Sequence, residues 1–292
     1  MKMAHVDLTH IPIGDIIAII AMLLLAGSTK GLIGIGMPII AVPLLNLIVE
    51  LPVTVALLTV PLIISNIPQA IEGEKVVVVL KRLLPLFYGL IFGVVVGVYL
   101  LSSVRVDLLK PIVGVILICI VILMLFSPRF VVPDADEKYL SPVVGLIGGI
   151  LGGLAALPGP FVFIYILALG ISKDWFVPHS SMFLVVAATL MAIALGTMGT
   201  IEWRDTLIST LAVVPILVGM KLGAGLRAFI SPPLFRKLIL GVVMVSGLNL
   251  LAGLAGVPAA RRQGIGGARF LRNANGYRNV FTREDALVDF RQ

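Results

Sequence analysis

The sequence has few charged residues, one cysteine and three histidines, and each shortage excludes a class of function. Charged residues make up 13% of the 292 residues, which is about half the share found in soluble domains, so they cannot cover a water-exposed surface. A single cysteine, Cys119, excludes a disulfide within the chain and a thiolate metal site. The histidines, His5, His10 and His179, lack zinc-site spacing on one helix. We therefore expect no metal and no other cofactor.

Hydrophobic residues are abundant instead, at 59% of the chain, and they occur in long runs. A helix needs about 20 apolar residues to cross a bilayer, so the sequence predicts an all-α polytopic membrane protein. The runs cover residues 13–28, 31–49, 53–71, 83–101, 107–126, 141–156, 158–171, 176–198, 206–229 and 235–256. Glycine and proline interrupt the first two runs and also runs six and seven. Each interrupted pair forms two spans, or one span and a re-entrant half-helix.

The net charge of +7 lies mostly near the C-terminus. Residues 261–292 contain seven arginines against three acidic residues, so the basic charge does not indicate a nucleic-acid groove. The tail 257–292 has no hydrophobic periodicity, which predicts a disordered or appended segment. Contact with anionic lipid is the alternative for this tail.

The two halves of the chain resemble each other. Equivalent glycines and prolines are 122 positions apart early in each half and 126 apart later: Gly27 and Gly149, Gly31 and Gly153, Pro38 and Pro160, Gly93 and Gly219. These matches predict a first transmembrane repeat at 1–128, a polar linker at 129–140 and a second repeat at 141–256. Each repeat has four or five hydrophobic segments, with broken or re-entrant helices at the repeat interface, as in many secondary transporters.

The number of crossings decides how the repeats are oriented. Five crossings per half give inverted repeats, and four give parallel repeats; the sequence leaves both open. Either total is even, so both termini are expected on one side of the membrane. The Arg-rich tail favours the cytoplasm. The predicted location is the cell (inner) membrane, with several crossings of the lipid bilayer.

The interrupted stretches are candidate binding elements. Glycine lets a ligand approach the backbone, proline starts a new helix, and a helix N-terminus binds anions through its unpaired N–H groups. Within a membrane such irregular backbone persists only when it is buried in protein or lines a cavity. The predicted anion-site residues from these stretches are Lys30, Gly31, Gly34, Gly36, Pro38, Gly153 and Pro160. Helix packing through small residues is the alternative, and it is the favoured interpretation for Gly89, Gly93 and Gly97.

Polar side chains within the spans extend this candidate site. Thr59, Asn66 and Gln69 lie on one helix face, and Ser181 is the second-half equivalent of Thr59. Polar residues at membrane depth are costly and face a site or another helix, so interhelical hydrogen bonding is the alternative. His179 is a candidate to carry a proton or to bond a substrate oxygen, and a purely structural role is the alternative. Lys30 suits an anion, although a lysine near a helix end can also extend to the membrane surface.

Four stretches resemble the TauE/SafE sulfite-exporter family, the toluene-sulfonate-uptake-like permeases. They are KGLIGIGMPIIAVPLL (30–45), VALLTVPLIISNIPQAIEG (55–73), FVFIYILALGISKDWF (161–176) and LFRKLILGVVMVSGLNLL (234–251). The resemblance covers about residues 30–256 and implies a polytopic carrier of sulfur-containing anions such as sulfite or sulfonates. Gly36-Met37-Pro38 stands where family members commonly have a glycine triplet.

Together these features predict a secondary transporter, an exporter of a small sulfur-containing anion that works by alternating access around a midplane site. No Walker A pattern is present, so a coupling ion such as a proton is expected to drive transport instead of ATP. A passive anion channel is the alternative. An intramembrane enzyme is disfavoured, because the sequence has no Gly-x-Gly-Asp or His-Glu-x-x-His pattern, and we expect the protein not to be an enzyme. The oligomeric state is left open.

Overall fold

The computed structural model describes residues 12–34, 36–72, 76–126, 131–171 and 173–226, together with seven residues between 241 and 251. Within these residues the regular elements are α-helices and there is no strand. The helices are α1 (Ile13–Ile33), α2 (Met37–Leu45), α3 (Leu51–Ala70), α4 (Val76–Ser103), α5 (Val106–Phe126), α6 (Asp134–Ala155), α7 (Gly159–Ala168), α8 (Lys173–Thr197) and α9 (Trp203–Leu226). The predicted tail and most of the last hydrophobic run lie outside the described residues.

Six of these helices are long and apolar enough to cross a membrane, namely α1, α3, α4, α6, α8 and α9. The prediction of an all-helical, multi-pass membrane protein is confirmed. α2 and α7 have only 9 and 10 residues, fewer than the roughly 20 that a span needs, yet most of their residues are buried. These two short helices therefore lie inside the protein and are covered by its longer helices.

The segment predicted to be a polar linker, 129–140, is helical from Asp134 onward. Pro133 precedes this helix, and Asp136 and Glu137 stand in its first turn. Acidic residues in a first turn are favourable because the N-terminus of a helix carries partial positive charge. The same polarity that suggested a linker thus suits the start of α6.

The helices are interrupted at both glycine- and proline-rich stretches. α1 ends at Ile33 and α2 begins at Met37, with Gly34 and Gly36 at φ values of 90° and 100°. Glycine adopts this left-handed conformation without the steric cost that a side chain would add. In the second half, α6 ends at Ala155 and α7 begins at Gly159 after Pro158, which cannot donate a backbone hydrogen bond.

Glycines bring two pairs of helices into backbone contact. A Cβ added to Gly93 of α4 would lie 2.2 Å from the carbonyl oxygen of Leu146 in α6. A Cβ at Gly31 of α1 would lie 2.0 Å from the carbonyl oxygen of Met220 in α9. Both distances are far shorter than a Cβ tolerates, so these positions accept only glycine while the helices keep this separation. The packing role predicted for Gly93 and its neighbours is confirmed.

The same contacts give the relative direction of the paired helices. Gly89, Gly93 and Gly97 of α4 face Pro142, Leu146 and Ile150 of α6 in that order. Gly27 and Gly31 of α1 face Ile216 and Met220 of α9. Because the contacting positions rise together, α4 runs parallel to α6, and α1 runs parallel to α9.

A proline in α3 is compensated by a side chain from α9. Pro61 has no N–H, so the carbonyl of Leu57, which that N–H would bond in a regular helix, needs another donor. Ser209 is buried, and its Oγ donates to the Leu57 carbonyl at 2.9 Å and accepts the Val60 N–H at 3.0 Å. One hydroxyl therefore satisfies two backbone groups beside the proline and joins the two helices.

Ser209→Ala is expected to lower the thermal unfolding temperature of the purified protein by several degrees. The substitution leaves the Leu57 carbonyl and the Val60 N–H without this partner, and an unsatisfied buried polar group costs about 1–3 kcal/mol. Ser209→Thr, which keeps the hydroxyl, should lower the unfolding temperature less than Ser209→Ala does. Thr210→Ala is the matched control, because Thr210 is exposed and bonds only its own helix at Thr206. Equal melting temperatures for Ser209→Ala and Thr210→Ala would show that the hydroxyl does not stabilise α3.

Candidate functional site

The candidate site is centred on Lys30, near the C-terminal end of α1. The residue is 1% exposed, although lysine is almost never fully buried without a partner. Its Nζ donates to Ser65 Oγ at 3.0 Å and to Asn66 Oδ1 at 2.5 Å, and both acceptors lie in the C-terminal half of α3. The lysine head group is thus inside the protein.

The amide of Asn66 is oriented by its own helix. Its Nδ2 donates to the Leu62 carbonyl one turn earlier at 2.6 Å, which leaves Oδ1 to accept from Lys30. An ammonium group can only donate, so this orientation of the amide is the one that the contact requires. Ser65, Asn66 and Gln69 share one face of α3, because residues three and four positions apart are neighbours on a helix.

The charge of Lys30 has no counter-ion in the described part of the chain. Both hydrogen-bond acceptors of Nζ are neutral, and no ion pair of Lys30 is found among the described residues. A buried charge without a partner costs several kcal/mol, because protein atoms replace the water that would solvate it. An ammonium also has three donors, of which these contacts use two. The arrangement can accept an anion, which would supply both the missing charge and the third acceptor.

The site extends from α3 to α8 through Gln69. The Oγ of Ser181 donates to Gln69 Oε1 at 3.3 Å. The break after α1 borders the same region: a Cβ at Gly34 would lie 3.3 Å from Val177 of α8 and 4.0 Å from Gln69 Nε2. The end of α1, the end of α3 and the start of α8 therefore meet at the interruption between α1 and α2.

Two further polar residues of α8 are buried beside Ser181. His179 is 3% exposed, and its Nδ1 lies 2.8 Å from the carbonyl oxygen of Trp175, so Nδ1 carries the hydrogen in this contact. The Oγ of Ser180 is buried with no hydrogen-bond partner among the described residues. Unsatisfied buried hydroxyls are rare in folded proteins, so Ser180 is a polar group of α8 that packing alone does not explain.

Other predicted site residues lie elsewhere or have other contacts. Thr59 is buried two turns before Asn66 and donates to the Val55 carbonyl of its own helix. Gly31 and Gly153 lie within helices and pack against α9 and α4. Gly36 and Pro38 form the start of α2, and Pro160 is buried in the first turn of α7. The structure thus groups Lys30, Gly34, Asn66, Gln69 and Ser181, and substrate binding by the whole predicted set stays a prediction.

Sequence reasoning missed Ser65, which contacts Lys30 directly. Its position offered a signal, because Ser65 is four residues before Gln69 and shares its helix face. Ser180 was also missed, although it stands between His179 and Ser181. Serine is small enough to occur in helix packing, so its type alone does not separate the two roles.

Six helices long and apolar enough to span a membrane, with a buried lysine beside a helix break, are features of a membrane transporter. Residues 19–250 match the family model described as sulfite exporter TauE/SafE. This match covers most of the chain, so the protein belongs to the sulfite exporter TauE/SafE family. No curated protein matches the chain, and no solved structure matches it. The family resemblance seen in the sequence is confirmed.

Proposed function

We propose that the protein is a secondary transporter that exports a sulfur-containing anion such as sulfite or an organosulfonate, with the anion bound at Lys30. The observation that carries this proposal is a fully buried lysine whose only described acceptors are a serine and an asparagine. The family description, a sulfite exporter, supports the substrate class. Asn66, Gln69 and Ser181 are the neutral groups that would complete the binding site.

Burial of Lys30 supports alternating access as the mechanism. With 1% of the residue exposed, an anion can reach the ammonium only after the surrounding helices move. The groups that bond Lys30 lie in the C-terminal half of α3, Lys30 itself lies in the last turn of α1, and the chain is interrupted directly after α1. Helix ends and breaks can move with less disruption than the middle of a packed helix, since few i→i−4 bonds are lost.

We further propose that the two halves are inverted repeats. Under the predicted duplication α1 corresponds to α6, and α4 corresponds to α9. The packing is reciprocal, because α1 contacts α9 and α4 contacts α6. Lys30 of α1 and Gly34, the residue after α1, lie near Asn66 and Gln69 of α3 in the same order, which supports parallel α1 and α3. Short connections make α4 antiparallel to α3 and α8 antiparallel to α9. Equivalent helices of the two halves then run in opposite directions, as inversion requires.

Inversion implies five passages of the chain per half, in which α2 and α7 return the chain between two parallel helices. Both termini then lie on one side of the membrane, and the arginines of the tail favour the cytoplasm. Protease treatment of sealed vesicles of each orientation tests this topology. A cytoplasmic tail is cleaved only in vesicles whose cytoplasmic face is outside. Cleavage of the tail only from the opposite side would contradict this topology.

The proposed function is tested by sulfite flux in proteoliposomes. A carrier should show saturation and counterflow, because each cycle moves one bound substrate through a closed state. A passive channel would conduct without either property. Absence of flux for sulfite and for every sulfonate tested would contradict the proposed function.

Asn66→Ala is expected to lower kcat/KM for sulfite flux roughly 10- to 100-fold, since a hydrogen bond to a charged group is worth about 1.5–3 kcal/mol. The matched control is Thr189→Ala, because Thr189 is an exposed residue of a spanning helix that bonds its own backbone at Val185. Its flux should equal that of the unmodified protein. Thr59→Ala shows whether the site reaches two turns further along α3. Normal flux in both Asn66→Ala and Thr59→Ala would remove this helix face from the site.

A further inference from the structure

We propose that the substrate carries a single negative charge when it binds, so that the protein selects monoanions such as sulfonates and hydrogen sulfite over dianions such as sulfate. This inference rests on the proposed function and specifies its substrate class. It follows from the charge of the Lys30 site and from the number of donors around it.

With Lys30 protonated, the described part of the site provides one positive charge. Ser65 and Asn66, which contact Lys30, are neutral, and so are Gln69 and Ser181 beside them. Besides Lys30, the buried charged or histidine side chains among the described residues are Asp205 and His179. Asp205 accepts the Glu202 N–H at the start of α9, and His179 bonds the Trp175 carbonyl. Neither is among the groups that bond Lys30 Nζ.

A monoanion leaves the occupied site neutral, whereas a dianion leaves one negative charge buried. Protein surroundings solvate an uncompensated charge poorly. The second charge of a dianion would lose its hydration on binding and would gain no cationic partner in return. A dianion in such a site would need a second cation or an accompanying proton. The arrangement around Lys30 therefore favours a ligand of charge −1.

The second half of the chain supplies no equivalent charge. At the shift of 122 positions, Lys30, Ser65 and Asn66 correspond to Gly152, Ala187 and Ala188. Gly152 packs against Pro158, at 3.0 Å from an added Cβ, and both alanines are buried. The polar cluster occurs in the first half only, so the pseudo-symmetry of the halves does not provide the second lysine that would neutralise a dianion.

The donors around Lys30 suit a group with three oxygens. The ammonium retains one N–H beyond its two contacts, and Ser65 Oγ, which accepts from Lys30, retains its own O–H. Asn66 Nδ2 uses one N–H on the Leu62 carbonyl and retains the other. Two of these donors are Nζ itself and the hydroxyl that bonds it, and the third belongs to the amide whose Oδ1 bonds Nζ. A sulfonate or hydrogen sulfite presents three oxygens to these three donors. It carries one negative charge, which the ammonium of Lys30 balances.

The test compares methanesulfonate with sulfate, two tetrahedral sulfur anions of similar size that differ in charge. Each is added as a competitor of substrate flux by the full-length protein in proteoliposomes, at a pH where both are fully ionised. We expect methanesulfonate to compete at least 10-fold more strongly than sulfate. Asn66→Asp is isosteric, and its carboxylate would neutralise the charge of Lys30. This variant should therefore abolish competition by methanesulfonate. Lys221→Met, at an exposed lysine of α9, should leave competition unchanged.

Three results are distinguishable. Stronger competition by methanesulfonate supports the monoanion site. Equal or stronger competition by sulfate, with flux intact, overturns the charge selection while the proposed transport function stands. Failure of the protein to move any sulfur-containing anion, with no effect of either competitor, overturns the proposed function and this inference together.

Discussion

Lys30→Met is expected to reduce anion flux at least about 100-fold while the folded yield stays close to normal. The substitution removes the positive partner of the bound anion. Breaking a buried charge pair costs about 3–5 kcal/mol, and every 1.36 kcal/mol is a factor of ten in rate. The Lys30 ammonium lies against two neutral groups, so replacing it with an apolar chain of similar length removes a costly buried charge from the fold. Function and stability should therefore respond in opposite directions.

The measurement is sulfite flux together with thermal unfolding of the same preparations. Lys30→Arg keeps the charge but replaces a compact ammonium with a larger planar group in a site that is 1% exposed, so intermediate flux is expected. Lys221→Met is the matched control, because Lys221 is also a lysine in a spanning helix but is exposed. Normal flux in Lys30→Met would show that the buried lysine is structural and would refute the proposed site.

Gly93→Val and Gly149→Val are expected to abolish folded protein. A Cβ at Gly149 would lie 2.6 Å from the Leu90 carbonyl oxygen, and one at Gly93 would lie 2.2 Å from that of Leu146. Backbone atoms cannot rotate away as a side chain can, so α4 and α6 would have to separate. Even modest overpacking costs about 1–3 kcal/mol, and separating two helices along their length costs more.

Folded yield is measured by size-exclusion chromatography after extraction. Gly93→Ala should give partial yield with a lower melting temperature, since the added group is smaller. The controls are Gly196→Ala and Gly225→Ala, because nothing lies within 4 Å of a Cβ at either glycine. Wild-type yield for Gly93→Val and Gly149→Val would mean that α4 and α6 do not make this contact.

Much of the fold could be predicted from hydrophobic runs and chain breakers. The runs identified the helices that can span a membrane. The interruptions fell at Gly34 and Gly36 and at Pro158, where glycine and proline prevent a continuous helix. The start of α6 was different, because residues 134–140 are polar and were predicted to be a linker. Polarity indicates that a segment is near water, but it does not separate a loop from a solvated helix end.

The candidate site was only partly predictable. Lys30, Asn66, Gln69 and Ser181 stood out as polar residues in apolar runs, which is a property of the sequence alone. Gly31 and Gly153 looked like backbone access to a ligand, yet in the structure they contact α9 and α4. A glycine can let either a ligand or another helix approach the backbone. Only the position of the neighbouring helix in the structure distinguishes these two roles.

The sequence by itself determined the membrane location, the helices and the family, because each depends on local composition or on motifs in chain order. Tertiary structure decided which groups meet: it brought Ser65 and Asn66 to Lys30 across 35 and 36 positions, and Ser181 to Gln69 across 112. Such contacts depend on how helices pack, which single-residue patterns do not encode. The physical reason is that burial and hydrogen bonding of a charge are properties of its surroundings in space.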